Sequence, residues 1–594
     1  MLNSYTGKFL IIDLNRKNTE EIRYKESLIK FLGGRGFGVY LIYKNLPLDI
    51  DPLSPENILI IASGPLNGTR TPLASKVGFF FRSPLTGIFG ESYAGGSLPR
   101  YPKWVGYDAV IIKGSLEKPG YITLTEDGVE FRDAKELWGL GSIETTNILQ
   151  KEYGSKAAIV TIGPAGENLV RFACINVDKW RQAGRTGGGA VMGSKKLKAI
   201  VFISEDNWIE PANNELYEEV MGYILNQLKE KEGVKRLREY GTPAMAIAAN
   251  TMGFFPTRYW SSGFFEKWEN IGPEAIRKHL VHPHPCWLCP IACGRYVRIE
   301  TRGGVIEMDG PEYETVFALG GLICVDNLPD LVYLNYLADD LGLDTISLGN
   351  VIGFAIEASK RKKIHIKVDY GNTEAIINLI KMIAYRRNEG NILAEGVARA
   401  SQQLGLEDIA IHVKGLEPAG YDPRRLKGMI LAYATSPRGA CHLRMMAYYV
   451  DLRKLAGDPS ELSERKIEKL VEFEDFMTAY DSMILCKFGR DIYTLEVIWK
   501  LYNAVTGANI EFADFLKSLS LIRSLIQEIN IRMGVTAKSD TLPKRFLEEE
   551  IRDPEGNQYR ISQHEVESAI SIYYRKRGFN EQGIPLERVN ENKD

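Results

Sequence analysis

The hydrophobic pattern of this 594-residue chain changes its period near residue 210, and no other feature constrains the fold as strongly. Before residue 210, short apolar runs bounded by Gly, Pro, Asn or Asp are typical of β-strands. These runs comprise residues 8–13, 58–62, 77–81, 109–112, 158–161 and 199–202. After Pro211, apolar side chains recur every four residues, as on the buried face of a helix. The first such stripe comprises Leu216, Val220, Ile224 and Leu228. The sequence therefore predicts an α+β protein, with a β-rich N-terminal domain and mainly helical structure after it.

The length of the chain requires several domains, because a single hydrophobic core stops growing near roughly 250 residues. The change of pattern gives the first boundary. Helical patterns such as 374–385 and 515–531 then continue toward the C-terminus, interrupted by loops that contain Gly and Pro. We place a second boundary near residue 417. The predicted domains are 1–210, 211–417 and 418–594.

Composition and charge exclude several kinds of partner. The chain has 74 basic and 76 acidic side chains, and a net charge of −2 gives no basis for binding nucleic acid or an anionic membrane. No apolar run approaches the ~18 residues of a spanning helix. The first ten residues lack the basic, apolar and cleavage regions of a signal peptide. We therefore expect a cytoplasmic protein that does not associate with membranes.

Three of the seven cysteines are close together, as Cys286-x-x-Cys289-x-x-x-Cys293. Seven cysteines are too few for a disulfide scaffold, whereas grouped thiolates favour zinc or an iron–sulfur centre. Zinc could also use His282 and His284, but structural zinc sites usually combine two paired ligand sets, and no second set follows. Three close cysteines and one remote cysteine suit a [4Fe–4S] cluster, while zinc and a chance grouping of thiols remain alternatives.

A short internal echo suggests which cysteine is the remote one. Asp339-Asp-Leu-Gly-Leu-Asp344 and Asp481-Ser-Met-Ile-Leu-Cys486 share their spacing, and each follows a helical pattern. Cys486 is thereby the preferred fourth ligand. Gly342 can end the first helix in the left-handed conformation. Ile484 occupies the equivalent place, so we expect the second helix end to be built differently. Two unrelated capped helix ends would give the same pattern.

Two glycine-rich segments fail as nucleotide-binding motifs. Residues 33–38 lack the G-x-G-x-x-G spacing and a preceding strand. Residues 188–195 approach a P-loop, but Ser194 and Lys195 stand in the reverse order. Arg181 and Arg185, followed by glycines, nevertheless combine guanidinium groups with accessible backbone N–H groups. This combination suits some other phosphorylated cofactor.

Several segments are distinctive when they are taken together and in order. They are Gly-Gly-Arg-Gly at 33–36, Asp-Pro-Leu-Ser-Pro-Glu-Asn at 51–57, Ser-Pro-Leu-Thr-Gly at 83–87, Ile-Gly-Pro-Ala-Gly-Glu-Asn-Leu-Val at 162–170, Ala-Gly-Arg at 183–185, Gly-Pro-Glu-Tyr-Glu-Thr at 310–315, Leu-Gly-Leu-Asp-Thr-Ile-Ser at 341–347, Tyr-Asp-Pro-Arg at 421–424 and Thr-Leu-Pro-Lys-Arg-Phe at 541–546. In these segments the chain closely resembles the tungsten-dependent aldehyde:ferredoxin oxidoreductases, over nearly its whole length.

The resemblance implies a tungsten or molybdenum atom held between two pterins, whose phosphates a Mg²⁺ ion bridges. The β-rich domain would form the base for this bis-pterin, with the two helical domains covering it. Backbone carbonyls of Tyr93 and Gln182 would bind the Mg²⁺, and Cys486 would complete one [4Fe–4S] cluster with the three grouped cysteines. Arg438 and Arg444 could instead be ordinary surface arginines. The residues implied in cofactor binding are Lys76, Tyr93, Gly95, Arg181, Gln182, Gly184, Arg185, Asp339, Leu343, Asp344, Arg438, Arg444, Asp481, Leu485 and Lys487.

For catalysis the resemblance implies Glu314 as the proton acceptor and His442 as the electrophilic donor to the aldehyde carbonyl. Glu312 is a less suitable base. The implied reaction oxidises an aldehyde to a carboxylic acid and reduces ferredoxin. Two alternatives remain: a family member with a different substrate, such as a sugar-phosphate aldehyde or a reductive reaction, and a non-catalytic protein stabilised by zinc.

One departure from the family bears on assembly. Some dimeric members bind a metal at the subunit interface through Glu-x-x-His, whereas Tyr333-Leu-Asn-Tyr336 stands at that place here. We therefore expect no interface metal. A homodimer is expected only by analogy.

Overall fold

The structure is a computed structural model that describes residues 2–47 and 49–587. Residue 1, which begins the first predicted domain, residue 48 within that domain, and residues 588–594, which end the third, lie outside the described residues. The strands are β1 (Lys8–Asp13), β2 (Asn18–Arg23), β3 (Leu59–Ala62), β4 (Val77–Arg82), β5 (Phe89–Ala94), β6 (Ala109–Lys113), β7 (Gly120–Thr125), β8 (Gly128–Asp133), β9 (Ala157–Thr161), β10 (Ile175–Val177), β11 (Arg181–Ala183), β12 (Leu197–Ile203), β13 (Leu280–His284), β14 (Gly294–Thr301), β15 (Gly304–Asp309), β16 (Ile551–Arg552) and β17 (Gln558–Tyr559).

Two six-stranded sheets occupy the N-terminal third of the chain. Their strand orders are β2-β1-β6-β3-β4-β5 and β11-β10-β9-β12-β7-β8. Side chains of both sheets, among them Phe81 and Val160, pack into one hydrophobic cluster. Burial on both faces explains why β3 and β9 read as continuous apolar runs. All six predicted strands are confirmed.

Helices dominate the rest of the chain. They are α1 (Gly34–Asn45), α2 (Tyr101–Trp104), α3 (Ser142–Tyr153), α4 (Pro164–Glu167), α5 (Gly188–Ser194), α6 (Asn214–Glu230), α7 (Glu232–Tyr240), α8 (Met245–Thr251), α9 (Pro273–Arg277), α10 (Tyr313–Thr315), α11 (Leu328–Leu341), α12 (Thr345–Lys360), α13 (Thr373–Ala384), α14 (Gly390–Leu393), α15 (Val397–Leu404), α16 (Gly428–Ala434), α17 (Ala447–Leu452), α18 (Glu464–Met483), α19 (Leu495–Thr506), α20 (Phe512–Arg532), α21 (Lys544–Glu548) and α22 (Gln563–Arg577).

The predicted α+β class is confirmed, and so are the helices at the first stripe (α6), 374–385 (α13) and 515–531 (α20). Helix α6 begins where Asn213 accepts a hydrogen bond from the backbone N–H of Leu216, which satisfies one free N–H group of the first turn. No single helix in the described part of the chain has the length and apolar composition to cross a membrane. One bent pair, 313–323 with 328–341, meets both criteria only when its two halves are taken together. The domain boundaries remain predictions.

The two helices that precede the internal echo end in the same way. Gly342, after α11, has φ 76° and ψ 49°, and Ile484, after α18, has φ 59° and ψ 39°. The backbone N–H of Leu343 donates to the carbonyl oxygen of Ala338 at 2.8 Å. The backbone N–H of Leu485 donates to the carbonyl oxygen of Tyr480 at 2.9 Å. The expectation of a different second helix end is therefore wrong. A β-branched residue in this conformation is strained by roughly 1–2 kcal/mol, and the fully buried side chain of Ile484 offsets that strain by packing.

The Gly-Gly-Arg-Gly segment allows the second echo loop to pack against the β-rich region. A Cβ atom on Gly34 would lie 2.6 Å from the carbonyl oxygens of Asp481 and Ser482. A Cβ atom on Gly64 would lie 2.8 Å from the carbonyl oxygens of Ser482 and Met483. Only glycine permits this approach of backbone to backbone. These glycines thus position the loop after α18 over the β-rich base.

Candidate active site

A cavity of about 320 Å³ lies where the β-rich region meets the helical regions. Its walls come from β5, β11, α10, the two echo loops and the segment between α16 and α17. The chain thus gathers side chains from the N-terminal, middle and C-terminal parts of the sequence into one space. The predicted residues that line it are Lys76, Tyr93, Gln182, Gly184, Arg185, Glu314, Asp339, Leu343, Asp344, Arg438, His442, Arg444, Asp481, Leu485, Cys486 and Lys487.

The two predicted catalytic side chains face each other in this cavity. Nε2 of His442 lies 3.5 Å from Oε1 of Glu314. The backbone N–H of Gly420 donates to Oε2 of Glu314 at 3.0 Å, which fixes the orientation of the carboxyl group. A π-helical turn, Val316–Gly320, begins two residues after Glu314, and such turns are frequent at functional sites.

The environment of this pair sets its protonation. Burial raises the pKa of Glu314 to about 7, against the opposing effects of the Gly420 hydrogen bond and Arg185. Burial, helped by Arg185 and Arg438, holds the pKa of His442 well below its usual range. The imidazole is therefore neutral near pH 7, while the carboxyl group can exchange a proton with a reacting group.

Glu312 is placed differently from Glu314. It accepts a hydrogen bond from the hydroxyl of Thr242. Burial and the neighbouring Asp309 raise its pKa. Burial, followed by the charge of Glu312, raises the pKa of Cys293, so Glu312 lies near the cysteine loop although it also lines the cavity. Glu312 is engaged by Thr242, whereas Oε1 of Glu314 has no hydrogen-bond partner among the described residues, which favours Glu314 as the candidate base.

Aromatic rings support the imidazole of His442. The Tyr421 ring stacks on it with centroids 5.6 Å apart, and Tyr448 stacks on Tyr421 at 4.2 Å. The hydroxyl of Tyr313 donates to the carbonyl oxygen of Gly420 at 2.5 Å. These contacts hold His442 and the Gly420 segment in one arrangement.

Carboxylates of the two echo loops line the cavity together. Asp339, on the last turn of α11, is buried, and Asn335 donates to its Oδ2 at 3.0 Å. Burial, together with Asp309, raises the pKa of Asp339 well above its usual value. Asp481, at the end of α18, forms ion pairs with Arg444 at 2.6 Å and Lys487 at 3.0 Å. The echo therefore places two acceptor side chains in one cavity.

Arg438 and Arg444 are 3% and 2% exposed, which excludes the alternative that they are surface arginines. Arg438 donates from Nη1 to the carbonyl oxygen of Glu91 at 2.6 Å and from Nη2 to Sγ of Cys441 at 3.0 Å. The guanidinium carbon of Arg444 lies 4.8 Å from the centroid of the Tyr93 ring. Both cations are thus fixed before any ligand binds.

The sequence analysis missed a buried ion pair beneath the cavity. Glu91, on β5, accepts two hydrogen bonds from Arg35, at 3.0 and 2.9 Å, and one from the hydroxyl of Tyr93 at 2.7 Å. Nη1 of Arg444 lies 3.3 Å from the same carboxylate. Arg35 also donates to the hydroxyl of Thr478 on α18 at 2.9 Å. A single charged residue in an otherwise uncharged, buried strand is the sequence signal that marks Glu91.

The remaining predicted residues gather beside the cavity, at the cysteine loop between β13 and β14. A Cβ atom on Gly95 would lie 2.5 Å from Sγ of Cys286. Arg181 donates to the carbonyl oxygen of His284 at 2.8 Å and pairs with Asp309. Against the effect of burial, Arg181 and Lys76 hold the pKa of Cys286 below its ordinary value. Gly95, Arg181 and Lys76 therefore surround the first cysteine of the motif.

Cys486 reaches the same loop through Leu73. The backbone N–H of Cys486 donates to the carbonyl oxygen of Leu73 at 2.8 Å, and the N–H of Leu73 donates to Leu288, between the first two cysteines, at 3.2 Å. Burial, followed by Cys486 and Cys286, raises the pKa of Cys289 to about 12. Across residues 2–47 and 49–587, no three side chains of His, Cys, Asp or Glu are grouped to hold a single metal ion. The cluster therefore remains a prediction, with its four cysteines in one neighbourhood.

Several polar atoms of the cavity lack partners in the described protein. They include Nε of Arg444, Nδ1 of His442 and Oε1 of Glu314. Buried polar atoms are normally hydrogen-bonded, so this set indicates a ligand that completes them. Guanidinium groups suit phosphate, and the carboxylates of Asp339 and Asp481 suit the N–H edge of a pterin. The residues present therefore fit a phosphorylated pterin cofactor.

Comparison with known proteins agrees with this fold and shows the family of the chain. The model described as "Aldehyde ferredoxin oxidoreductase, N-terminal domain" matches residues 9–204, and "Aldehyde ferredoxin oxidoreductase, domains 2 & 3" matches residues 219–592. The chain belongs to the aldehyde ferredoxin oxidoreductase family. It is an oxidoreductase of this kind, which contradicts the alternative of a non-catalytic zinc-stabilised protein.

Individual relatives cover almost the whole chain. The tungsten-containing aldehyde ferredoxin oxidoreductase of Pyrococcus furiosus is 38% identical, over 98% of this chain and 98% of its own. The aliphatic sulfonate oxidoreductase, WOR-like subunit, of the same organism is 31% identical, over 99% of this chain and 96% of its own. Membership of this tungsten-containing family implies a tungsten–pterin cofactor. It does not name the substrate, because the relatives differ in theirs.

A solved structure shares the fold. The active site complex BamBC of benzoyl coenzyme A reductase with 1,5-dienoyl-CoA has a TM-score of 0.83 at 23% identity, and the match covers 98% of this chain and 96% of that chain. At this identity the likeness concerns the fold alone.

Proposed function

We propose that this protein oxidises aldehydes to carboxylic acids at a tungsten– or molybdenum–bis-pterin centre and passes the electrons to ferredoxin through one [4Fe–4S] cluster. The observation that carries the proposal is the Glu314–His442 pair, 3.5 Å apart in a cavity that the echo-loop carboxylates and Arg444 also line. A base and a hydrogen-bond donor on one side, and cofactor-binding groups on the other, are what the reaction requires.

The proposed roles of the two residues follow from their protonation. Oxidation of an aldehyde adds one oxygen atom from water and releases protons with two electrons. Glu314, with a pKa of about 7, accepts a proton at Oε1, the oxygen that Gly420 leaves free. His442 is neutral and donates one N–H to the carbonyl oxygen as negative charge develops there.

The cofactor has proposed contacts on both faces of the cavity. When bound, the tungsten centre supplies the oxygen-transfer and redox chemistry. Asp339, Leu343 and Asp344 hold one pterin, and Asp481, Leu485 and Lys487 hold the other. Arg185, Arg438 and Arg444 bind phosphate, with Lys76, Arg181 and the backbone at Gly95 and Gly184 beside them. Carbonyl groups of Tyr93 and Gln182 bind the Mg²⁺.

Cys286, Cys289, Cys293 and Cys486 are the proposed cluster ligands. Cys486 follows Leu485 directly, so the cluster and the second pterin site share one loop. The cysteine loop is partly exposed, with Pro290 at the surface, which suits electron transfer to a separate protein. We propose a cytoplasmic location, and an assembly without an interface metal at Tyr333 and Tyr336.

Aldehyde-dependent reduction of ferredoxin or a viologen dye by anaerobically purified enzyme tests the proposal. Turnover with aliphatic or aromatic aldehydes supports it. Turnover only in the reductive direction, or with no aldehyde at all, contradicts it.

A further inference from the structure

The cavity wall contains one cationic side chain, Arg490, that has no ion-pair partner among the described residues. Arg490 lines the cavity beside Tyr448 and Phe488. Its Nη1 donates to the carbonyl oxygen of Lys487 at 3.1 Å, and its guanidinium carbon lies 4.5 Å from the centroid of the Tyr449 ring. Its Nε is buried and has no hydrogen-bond partner among the described residues.

The other cations around the cavity have anionic or thiol partners. Lys76 lies among the cysteines, which raise its pKa against the effect of burial. The remaining partnerships are Lys487–Asp481 at 3.0 Å, Arg444–Asp481 at 2.6 Å, Arg185–Asp344 at 3.2 Å and Arg438–Cys441 at 3.0 Å. Among the described cations of the cavity wall, Arg490 is thus the exception.

The carboxylate next to Arg490 in sequence is already engaged. Oδ1 of Asp491 accepts a hydrogen bond from the hydroxyl of Tyr449 and lies 3.4 Å from Nη2 of Arg453. In the part of the chain that the structure describes, Arg490 forms no ion pair with Asp491 or with another carboxylate. A ligand is therefore the remaining source of negative charge for this guanidinium.

One aromatic side chain, Tyr448, lies close to both Arg490 and the catalytic pair. The Tyr448 ring centroid is 6.2 Å from that of His442. Burial raises the pKa of Tyr448, and among its neighbours the charge of Arg490 opposes that rise most. Tyr448 is therefore close to both His442 and Arg490. A substrate that touches His442 with its carbonyl group can run along the Tyr448 ring toward Arg490.

We propose that Arg490 binds an anionic group at the far end of the aldehyde, so that the preferred substrates are short aldehydes that carry a carboxylate or another anion. The proposal rests on the proposed aldehyde oxidation and extends it to the substrate class. A guanidinium with a free Nε–H can bind a carboxylate through two parallel hydrogen bonds. The Tyr448 ring supplies apolar surface for the carbon chain between the two ends.

The test compares three aldehydes in wild type and Arg490→Met. They are succinic semialdehyde, glyceraldehyde 3-phosphate and butyraldehyde, the last being a neutral analogue of the first. In wild type we expect kcat/KM for one anionic aldehyde to exceed that for butyraldehyde by about 10- to 100-fold, the range of one charge-assisted contact. Arg490→Met should remove this preference, chiefly through KM. Preference for the first aldehyde identifies a carboxylate as the anion, and preference for the second identifies a phosphate.

Lys454→Met is the matched control. Lys454 directly follows Arg453, is exposed and lies outside the cavity wall. The control removes one positive charge from the segment that follows Tyr449, leaves the Arg453–Asp491 pair in place, and should keep the preference. Equal kcat/KM for all three aldehydes in wild type overturns the proposal, as does an equal loss of preference in both variants.

Two further measurements distinguish this proposal from cofactor binding by Arg490 and from a failure of the proposed aldehyde oxidation. Tungsten and iron contents of Arg490→Met should match wild type, and a loss of tungsten would show that Arg490 holds the cofactor instead. Calorimetric binding of succinate should weaken about 10-fold in Arg490→Met. Unchanged succinate binding contradicts the anchor. Arg490-dependent binding without any aldehyde oxidation would support the anchor and overturn the proposed function alone.

Discussion

Glu314→Gln should lower turnover by about 10²–10⁴-fold, or roughly 3–5 kcal/mol of barrier, the usual contribution of a general base. The variant keeps the size of the side chain. Its amide oxygen can still accept the hydrogen bond that the N–H of Gly420 donates at 3.0 Å. The variant loses the carboxylate, and burial raises the pKa of that carboxylate to about 7 in wild type. The kcat/KM of wild type should therefore rise with pH through about 7, and the variant should lack that rise.

The same pKa predicts an opposite effect of Glu314→Gln on stability. Because burial raises the pKa of Glu314 from 4.5 to about 7, the native state holds this proton more tightly than the unfolded chain does. The contribution of this group to stability is complete below pH 4.5 and is lost as the pH rises through 7. At about 1.36 kcal/mol per pKa unit, the variant should gain roughly 2–3 kcal/mol of unfolding free energy over wild type between about pH 5 and pH 8.

The assay is anaerobic aldehyde-dependent dye reduction across this pH range, with denaturant unfolding of both proteins and with matched tungsten, pterin and iron contents. A Glu314→Gln enzyme with full cofactor and turnover within a few-fold of wild type would refute proton transfer by Glu314. Its role would then be to satisfy the N–H of Gly420, and Glu312 would become the candidate base. A parallel pH dependence of stability in the two proteins would refute the raised pKa.

Three further substitutions test the site. His442→Asn removes the donor to the carbonyl and should slow turnover about 10²–10³-fold, while kcat/KM keeps its rise through about pH 7; loss of that rise would assign the ionisation to His442. Cys486→Ser should leave a folded chain with an unstable or three-iron centre, and an unchanged cluster spectrum would point to Cys174, Cys324 or Cys441 instead. Gly34→Ala should destabilise the protein by about 2–4 kcal/mol through its 2.6 Å approach to Asp481 and its left-handed backbone. Gly405→Ala, also at positive φ but with nothing within 4 Å, should cost only the backbone part, and equal losses in the two alanine variants would contradict the contact.

Much of the fold was predictable because strands buried on both faces and helices buried on one face leave different hydrophobic patterns in the sequence. Strands such as β3 and β9 read as apolar runs, and α6 shows an apolar stripe because only one face of it is covered. Helix α1 was not predicted, because residues on nearly all of its faces are buried and no stripe remains. The ends of α11 and α18 show a further limit. The residue types at Gly342 and Ile484 differ, yet the surrounding packing imposes the same left-handed backbone on both.

The sequence predicted those site residues that belong to short motifs. It did not predict those whose role depends on contacts between distant parts of the chain. The family motifs supplied many of the residues that line the cavity, but not Tyr448 or Arg490. The partnership of Glu91 with Arg35 and Arg444 joins residues that are 56 and 353 positions apart, and no local pattern links them. That Arg490 has no ion-pair partner among the described residues was equally hidden, since it depends on which carboxylates the fold has already engaged elsewhere.

Metal analysis of the anaerobically purified protein tests the central claim most directly. A tungsten–bis-pterin enzyme with one [4Fe–4S] cluster should contain one tungsten or molybdenum and about four irons per chain, and added aldehyde should bleach the cluster absorbance as electrons reach it. Zinc as the sole metal, or a full complement of tungsten and iron with no response to any aldehyde, would contradict the account.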